Sequence, residues 1–339
     1  MARDYMTCKP LLVAFYSGGF TAPQGRNFLR LFLKLAGEHG FDEHLVLDHA
    51  SEMESPQPQD FPEYGQRLLE KVDAVAADKT RPIAIVAHSL GTRGAYSLAL
   101  KLGQRCVAFY PVASRAPTDS STDEVFGVPS RAELEKLDIG LLLRRMVAGW
   151  PNPILETEAV KPPAEWHPSI MQAMEVVRKQ YTNAAMNFGS GDLVSYYGAL
   201  GPQKLHCPVI ALCGTKESPL GETPQKAARW SELVASPHEF ALHELEGYDH
   251  FSIFKPERPK DAATFPVWRL IFDDLKARLA SRESARAHAS TDETGARPKT
   301  LSFIDSPFST KLDYEAWKLM PSAAEREAAL SAALRKMRM

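Results

Sequence analysis

The chain has 339 residues, beyond the roughly 250–300 that one hydrophobic core usually fills, so a large core carrying an insertion or a tail is expected. Hydrophobic residues make up 44% and charged residues 24%, ordinary values for a globular protein. The formal net charge of −2 gives no whole-chain reason to expect nucleic-acid binding, and no apolar run reaches the ~18 residues needed to span a bilayer.

The opening MARDYMTCKPLLVAFY carries charges and a short apolar run, which suits a buried strand better than a signal peptide; a soluble, cytoplasmic protein is expected. LLVAFY (11–16) predicts that strand, closed by Gly18 and Gly19. Phe28, Leu31, Phe32 and Leu35 follow at helical spacing, and HLVL (44–47) reads as a second strand. Asp60 and Glu63 form a capping box around Pro62, ahead of a helix face marked by Leu68, Val72, Val75 and Ala76. PIAIVA (82–87) is a third strand, 90–103 a helix and CVAFYP (106–111) a fourth strand.

Residues 115–203 then carry helical patterns without a strand: a helix capped by Ser130 and Glu133, one marked by Ile139, Leu142, Leu143 and Met146, and one marked by Ile170, Met174, Val177 and Tyr181. PVIALCG (208–214) resumes the strand pattern, a helix follows Thr223-Pro224, and EFALHEL (239–245) precedes a last helix with Val267, Leu270, Ile271, Leu275 and Leu279. Strand–helix alternation predicts an α/β fold, a mostly parallel sheet with helices on both faces. The expected core is 1–114 with 204–280, interrupted by a helical insertion at 115–203. Residues 281–300 are polar and aperiodic, a predicted linker, before an extension at 301–339 whose helix is capped by Ser322 and Glu325. Cys8, Cys106, Cys207 and Cys213 form neither a CxxC pair nor a metal-ligand cluster, so buried reduced thiols and no metal are expected.

VAHSLG (86–91) places a serine between an apolar strand and a helix. In a parallel sheet such a serine projects from the carboxyl end of its strand, where function gathers. The turn is tight, so the side chains two before and two after must be small, and Ala87 and Gly91 are. Ser89 is therefore the candidate nucleophile, on an elbow of the G-x-S-x-G type with alanine for the first glycine. A hydroxyl needs a base to remove its proton. His250, in GYDHFSIF after the 239–245 strand, is the candidate base, whereas His88 neighbours the serine and should point away. The acid that orients the imidazole is expected in CGTKESPLGE, with Glu217 favoured and Glu222 and Asp249 as alternatives. An oxyanion needs two backbone donors: Leu90, the residue after the nucleophile, and a residue of the glycine loop FYSGGFTAP, for which Gly18 is the candidate.

Taken together, these stretches resemble the type II thioesterases of polyketide, nonribosomal-peptide and fatty-acid synthesis, which are α/β-hydrolases. FYSGGFTAP resembles the family's F-P-x-A-G-G-S-A loop, AHSLGTRGAYSLALKL its G-H-S-M-G elbow and helix, and FYPVASRAP its S-G-R-x-A-P stretch leading into a lid. GTKESPLGETPQKAARW resembles its acid loop, and FALHELEGYDHFSIF its histidine loop. The matches keep family order from about residue 10 to 280 and leave 281–339 uncovered. Departures are Glu217 for aspartate, Tyr16 for proline, and Tyr248-Asp249 for paired glycines. The resemblance implies an α/β-hydrolase with Ser89, His250, Gly18 and Leu90 in the roles above and 115–203 as a helical lid. It further implies hydrolysis of acyl thioesters through an acyl-serine. The substrates would be carried on the phosphopantetheine of an acyl or peptidyl carrier protein, or on coenzyme A, with no other cofactor. An esterase or lipase acting on oxygen esters, and a non-catalytic binder on the same fold, are the competing readings.

Overall fold

The computed structural model describes residues 9–47, 58, 61–118, 131–182, 203–256 and 258–292. Four segments, β1 (Leu11–Phe15), β3 (Ile83–His88), β4 (Cys106–Val112) and β5 (Val209–Gly214), apolar but for His88 at the end of β3, are buried along their entire length. This is the signature of parallel strands covered on both faces. β2 (His44–Leu47) and β6 (Phe240–Leu245), at the two edges, are only partly buried. All neighbouring pairs are parallel, in the order β2-β1-β3-β4-β5-β6.

That order has a consequence for function. From β1 the chain moves outward to β2 through α1 (Ala22–Glu38) and returns through α2 (Phe61–Val75) to β3 on the other side of β1. The reversal falls between β1 and β3, and open α/β sheets bind ligands beyond the carboxyl ends of the strands at such a point. The glycine loop follows β1 and the serine turn follows β3, so both lie at that end of the sheet.

Each face of the sheet has its own helical cover. On one, Phe32 of α1 stacks on Phe272 at 5.1 Å and edges onto Trp268 at 5.7 Å, both from α9 (Pro266–Asp292). All three side chains are buried, and each contributes about 1.5–3 kcal/mol relative to exposure. On the other, α2 packs against α3 (Gly91–Leu102): Phe61 stacks on Tyr96 at 5.6 Å, and a Cβ on Gly65 would lie 2.3 Å from Ser97 Oγ. Trp230, after the short α8 (Pro224–Ala228), completes this layer between Tyr96 and Phe109.

Between β4 and β5 lie α4 (Arg131–Lys136), α5 (Ile139–Gly149), α6 (Pro153–Ala159) and α7 (Pro168–Thr182). Asp138 and Asn152 cap α5 and α6 by accepting backbone N–H bonds, which fixes where each helix starts. Leu142, Leu143, Met174 and Val177 turn their apolar stripes inward.

The chain divides into two compact units, Met1–Arg278 and Leu279–Met339. The first holds the sheet and the inserted helices. The expected linker at 281–300 needs correction over 281–292, which continue α9 as helix. The pattern there lacks an apolar stripe, but SRESARAHAS contains no proline or glycine to stop a helix already started. The predicted caps at Asp60 and Ser130, Cys8 and the 301–339 extension lie outside the described residues.

Candidate active site

Ser89 has φ of 53°, one of two described non-glycine residues with positive φ. A β-carbon is disfavoured there by about 1–3 kcal/mol, so the surroundings must hold the turn. They do so through three bonds. Ser89 N donates to Val112 O at 2.9 Å, while Thr92 N and Thr92 Oγ1 donate to Ser89 O at 3.0 and 2.7 Å. The small flanking residues now have a measurable reason. A Cβ on Gly91 would sit 2.5 Å from Tyr16 O and 2.9 Å from Phe15 Cβ, so only glycine lets α3 start flush against the end of β1.

His250 arrives from the far edge of the sheet. β6 ends at Leu245, Gly247 turns the chain at φ 81°, and the imidazole Nε2 comes to 2.9 Å from Ser89 Oγ. His88 does point away from the serine: its Nε2 donates to His250 O at 2.7 Å. Burial first, then the adjacent His250 ring, push His88 down to about 3, so it is neutral at neutral pH.

The three candidate acids separate cleanly. Glu217 Oε1 lies 3.3 Å from His250 Nδ1, with the two side chains only 1% and 4% exposed. The contact is at ion-pair distance without hydrogen-bond alignment, and neither the Glu217 carboxylate nor His250 Nδ1 has a hydrogen-bond partner elsewhere among the described residues. Glu222 is engaged elsewhere: its Oε2 accepts from Arg115 N at 2.6 Å and Arg115 Nε at 2.9 Å. Asp249 closes its own turn, its Oδ1 accepting from Phe251 N at 2.9 Å and Ser252 N at 2.8 Å. Burial alone would raise the Asp249 pKa, but these bonds from Ser252 and Phe251 outweigh it and hold the carboxyl below the usual range. The structure thus brings Ser89, His250 and Glu217 together, while the Glu222 and Asp249 carboxylates are bonded elsewhere.

The acid loop is braced from two sides. A Cβ on Gly214 would fall 2.1 Å from Tyr248 O, so the loops carrying Glu217 and His250 touch through bare backbone. Ser218 Oγ donates to Ala148 O at 2.7 Å, tying the loop to the end of α5, and Trp150 just beyond stands 5.6 Å from the His250 ring.

Gly18 and Leu90 also meet. A Cβ on Gly18 would lie 2.8 Å from Leu90 Cδ2, which is why the loop after β1 approaches the serine turn only as glycine. Gly19 N donates to Gln180 Oε1 of α7 at 2.9 Å, linking this loop to the inserted helices. Gln180, Arg115 and the His88–His250 bond were not foreseen from sequence. A polar residue three after Val177, on an otherwise apolar stripe, was the available signal for Gln180. Arg115 and its partner are 107 residues apart and gave none.

No family model matches the chain, and no curated protein matches it. Solved structures do. RedJ, a thioesterase from the prodiginine biosynthetic pathway in Streptomyces coelicolor, superposes with a TM-score of 0.51 at 16% identity, over 80% of this chain and 91% of RedJ. A second RedJ structure, with a PEG molecule in its active site, gives 0.50 at 16% identity over 77% and 92%. BorB, a type II thioesterase from the borrelidin cluster, is 22% identical over 80% of this chain and 92% of its own, with a TM-score of 0.46. This chain has the α/β-hydrolase fold. In that fold a nucleophile follows a central strand, and acid and histidine follow later ones, which is the chain order of Ser89, Glu217 and His250. Among the described residues of this hydrolase fold, no His, Cys, Asp and Glu side chains group to hold a metal ion, and no helix is long and apolar enough to cross a membrane.

Proposed function

We propose that this chain is a serine thioesterase that hydrolyses acyl thioesters carried on the phosphopantetheine of an acyl or peptidyl carrier protein, or on coenzyme A. The observation that carries the reading is the contact of Ser89 Oγ with His250 Nε2 at 2.9 Å, with Glu217 Oε1 at 3.3 Å from the other ring nitrogen. The likeness to thioesterases of the same fold supports the choice of substrate class.

The arrangement gives each residue a step. Ser89 Oγ–H passes its proton to His250 Nε2 as Oγ bonds to the thioester carbonyl carbon. Glu217 holds the ring in the tautomer that accepts this proton and stabilises the imidazolium. The carbonyl π pair moves onto oxygen, and the backbone N–H groups of Gly18 and Leu90 receive that charge. The C–S bond then breaks, His250 returns its proton to sulfur, and the thiol leaves an acyl-serine. Water repeats the sequence and frees the acid. The helices between β4 and β5 cover the acyl chain.

Two measurements test this. A fluorophosphonate probe labels Ser89, and Ser89→Ala abolishes both labelling and turnover; labelling that survives the substitution overturns the assignment. Across acyl thioesters on pantetheine and on carrier protein, kcat/KM rises with chain length, because remote binding energy is realised in the transition state. At ~0.8 kcal/mol per buried methylene, two more methylenes raise it up to roughly tenfold until the pocket fills. A flat profile with faster cleavage of matched oxygen esters rejects the thioesterase reading in favour of an esterase.

A further inference from the structure

Among the buried polar groups near the serine, one amide donor has no partner among the described residues and no place in the mechanism above. Gln180, near the end of α7, is only 1% exposed. Its amide orientation is fixed, because Gly19 N can only donate and therefore bonds Oε1, at 2.9 Å. The Nε2 amino group consequently turns away from that bond, and it has no hydrogen-bond partner among the described residues. A buried amide donor left unpaired is costly, and such groups in folded proteins usually await a ligand or water. The position says which ligand. A Cβ built on Gly18 would lie 3.3 Å from Gln180 Oε1 and 3.1 Å from Leu90 Cβ, so the amide and Leu90 both crowd Gly18, beside the backbone donors that would bind the oxyanion. α7 is held there by apolar contact as well, since a Cβ on Gly19 would meet Val177 Cγ2 at 2.9 Å.

We propose that Gln180 is a third oxyanion donor, supplied by the inserted helices: Nε2 donates to the carbonyl oxygen of the acyl group as negative charge develops on it, while Oε1 holds the Gly18–Gly19 loop in place. The inference rests on the serine-hydrolase reading and adds to it a role for the insertion beyond covering the acyl chain. Backbone donors are present whenever the sheet is folded, whereas a donor on α7 is present only when that helix lies on the glycine loop. Placement of the insertion and stabilisation of the transition state are then one event, and an acyl chain that seats α7 raises the rate at a bond distant from it.

The experiment uses the full chain and two variants. Gln180→Met keeps the volume and removes both polar atoms; Gln180→Glu keeps an acceptor for Gly19 and removes the donor. Both are expected to lower kcat about 10²-fold, the loss of one oxyanion donor, with KM changed less than threefold. Affinity for a trifluoromethyl ketone carrying the same acyl chain, whose adduct with Ser89 bears an oxyanion, falls in each variant by the same factor as kcat/KM. Affinity for the product carboxylic acid does not. Variants with kcat within threefold of the parent overturn the proposal. So does a fall in kcat without a matching loss of ketone affinity, which reduces Gln180 to a loop brace. If the parent itself neither turns over thioesters nor binds the ketone, it is the serine-thioesterase reading that has failed.

Discussion

His88 Nε2 donates a hydrogen bond to the carbonyl oxygen of His250 at 2.7 Å, so the residue before Ser89 in the chain holds the backbone of His250. The two imidazoles lie 5.1 Å apart, and Phe28, Phe254 and Phe251 also neighbour the His88 ring. His88 is therefore a buried neutral imidazole among aromatic rings, and its Nε2 bonds the loop that carries His250.

This predicts an acid-sensitive fold. The unfolded His88 titrates near 6.5, whereas in the folded protein it is held down to about 3. Between those values the unfolded chain binds a proton that the folded chain refuses, so stability falls as pH falls. The contribution is complete above pH 6.5 and is lost at roughly 1.4 kcal/mol per pH unit toward pH 3. His88→Gln retains a donor for His250 O without titrating. Urea unfolding at pH 7, 5 and 4 should show a shallower decline for the variant; parallel declines contradict the assignment.

Glu217 and Glu222 should respond in opposite ways. Glu217→Gln removes the charge beside His250 Nδ1, and kcat is expected to fall by orders of magnitude, as the ~10⁴ cost of the analogous amide change in a serine protease indicates. Stability should hold or rise, because a buried carboxylate without a hydrogen bond is lost. A drop in kcat under tenfold removes Glu217 from the mechanism.

Glu222→Ala acts on the fold instead. It strands the buried Arg115 guanidinium, whose Nε and backbone N both bond Glu222 Oε2, and breaking such a pair from one side costs about 3–5 kcal/mol. The midpoint in urea should shift accordingly, while fluorophosphonate labelling of the folded fraction persists. A loss under about 1 kcal/mol would show that Arg115 finds enough in the Leu220 and Gly221 carbonyls it also contacts.

Gly214→Ala tests the brace between the acid and histidine loops. The new Cβ would sit 2.1 Å from Tyr248 O, a backbone atom that cannot swing aside. Overpacking of this kind costs about 1–3 kcal/mol, and the displacement acts on both Glu217 and His250. Turnover should fall at least tenfold, more than the change in Tm alone explains. Unchanged turnover would mean that the two loops move as one body.

Much of this was legible in the chain itself. Buried parallel strands are continuous apolar runs, so the four central strands could be read within a residue or two, and the two edge strands showed as shorter or interrupted runs. The serine turn was legible because its sterics permit only small neighbours two residues either side: Ala87 and Gly91 are covalently tied to Ser89, and local geometry writes local sequence. His250 was legible from its place after a strand. For the acid the chain favoured Glu217 but left two alternatives open. Glu217, Glu222 and Asp249 all follow strands and carry the same chemistry, and only packing shows that Arg115 occupies one and a turn of backbone N–H groups occupies another. The same holds for Gln180, whose partner Gly19 is 161 residues away. Periodicity registers how a side chain relates to its own helix; which polar atoms meet across the fold, and which are left unpaired once they have, is decided only when the elements pack.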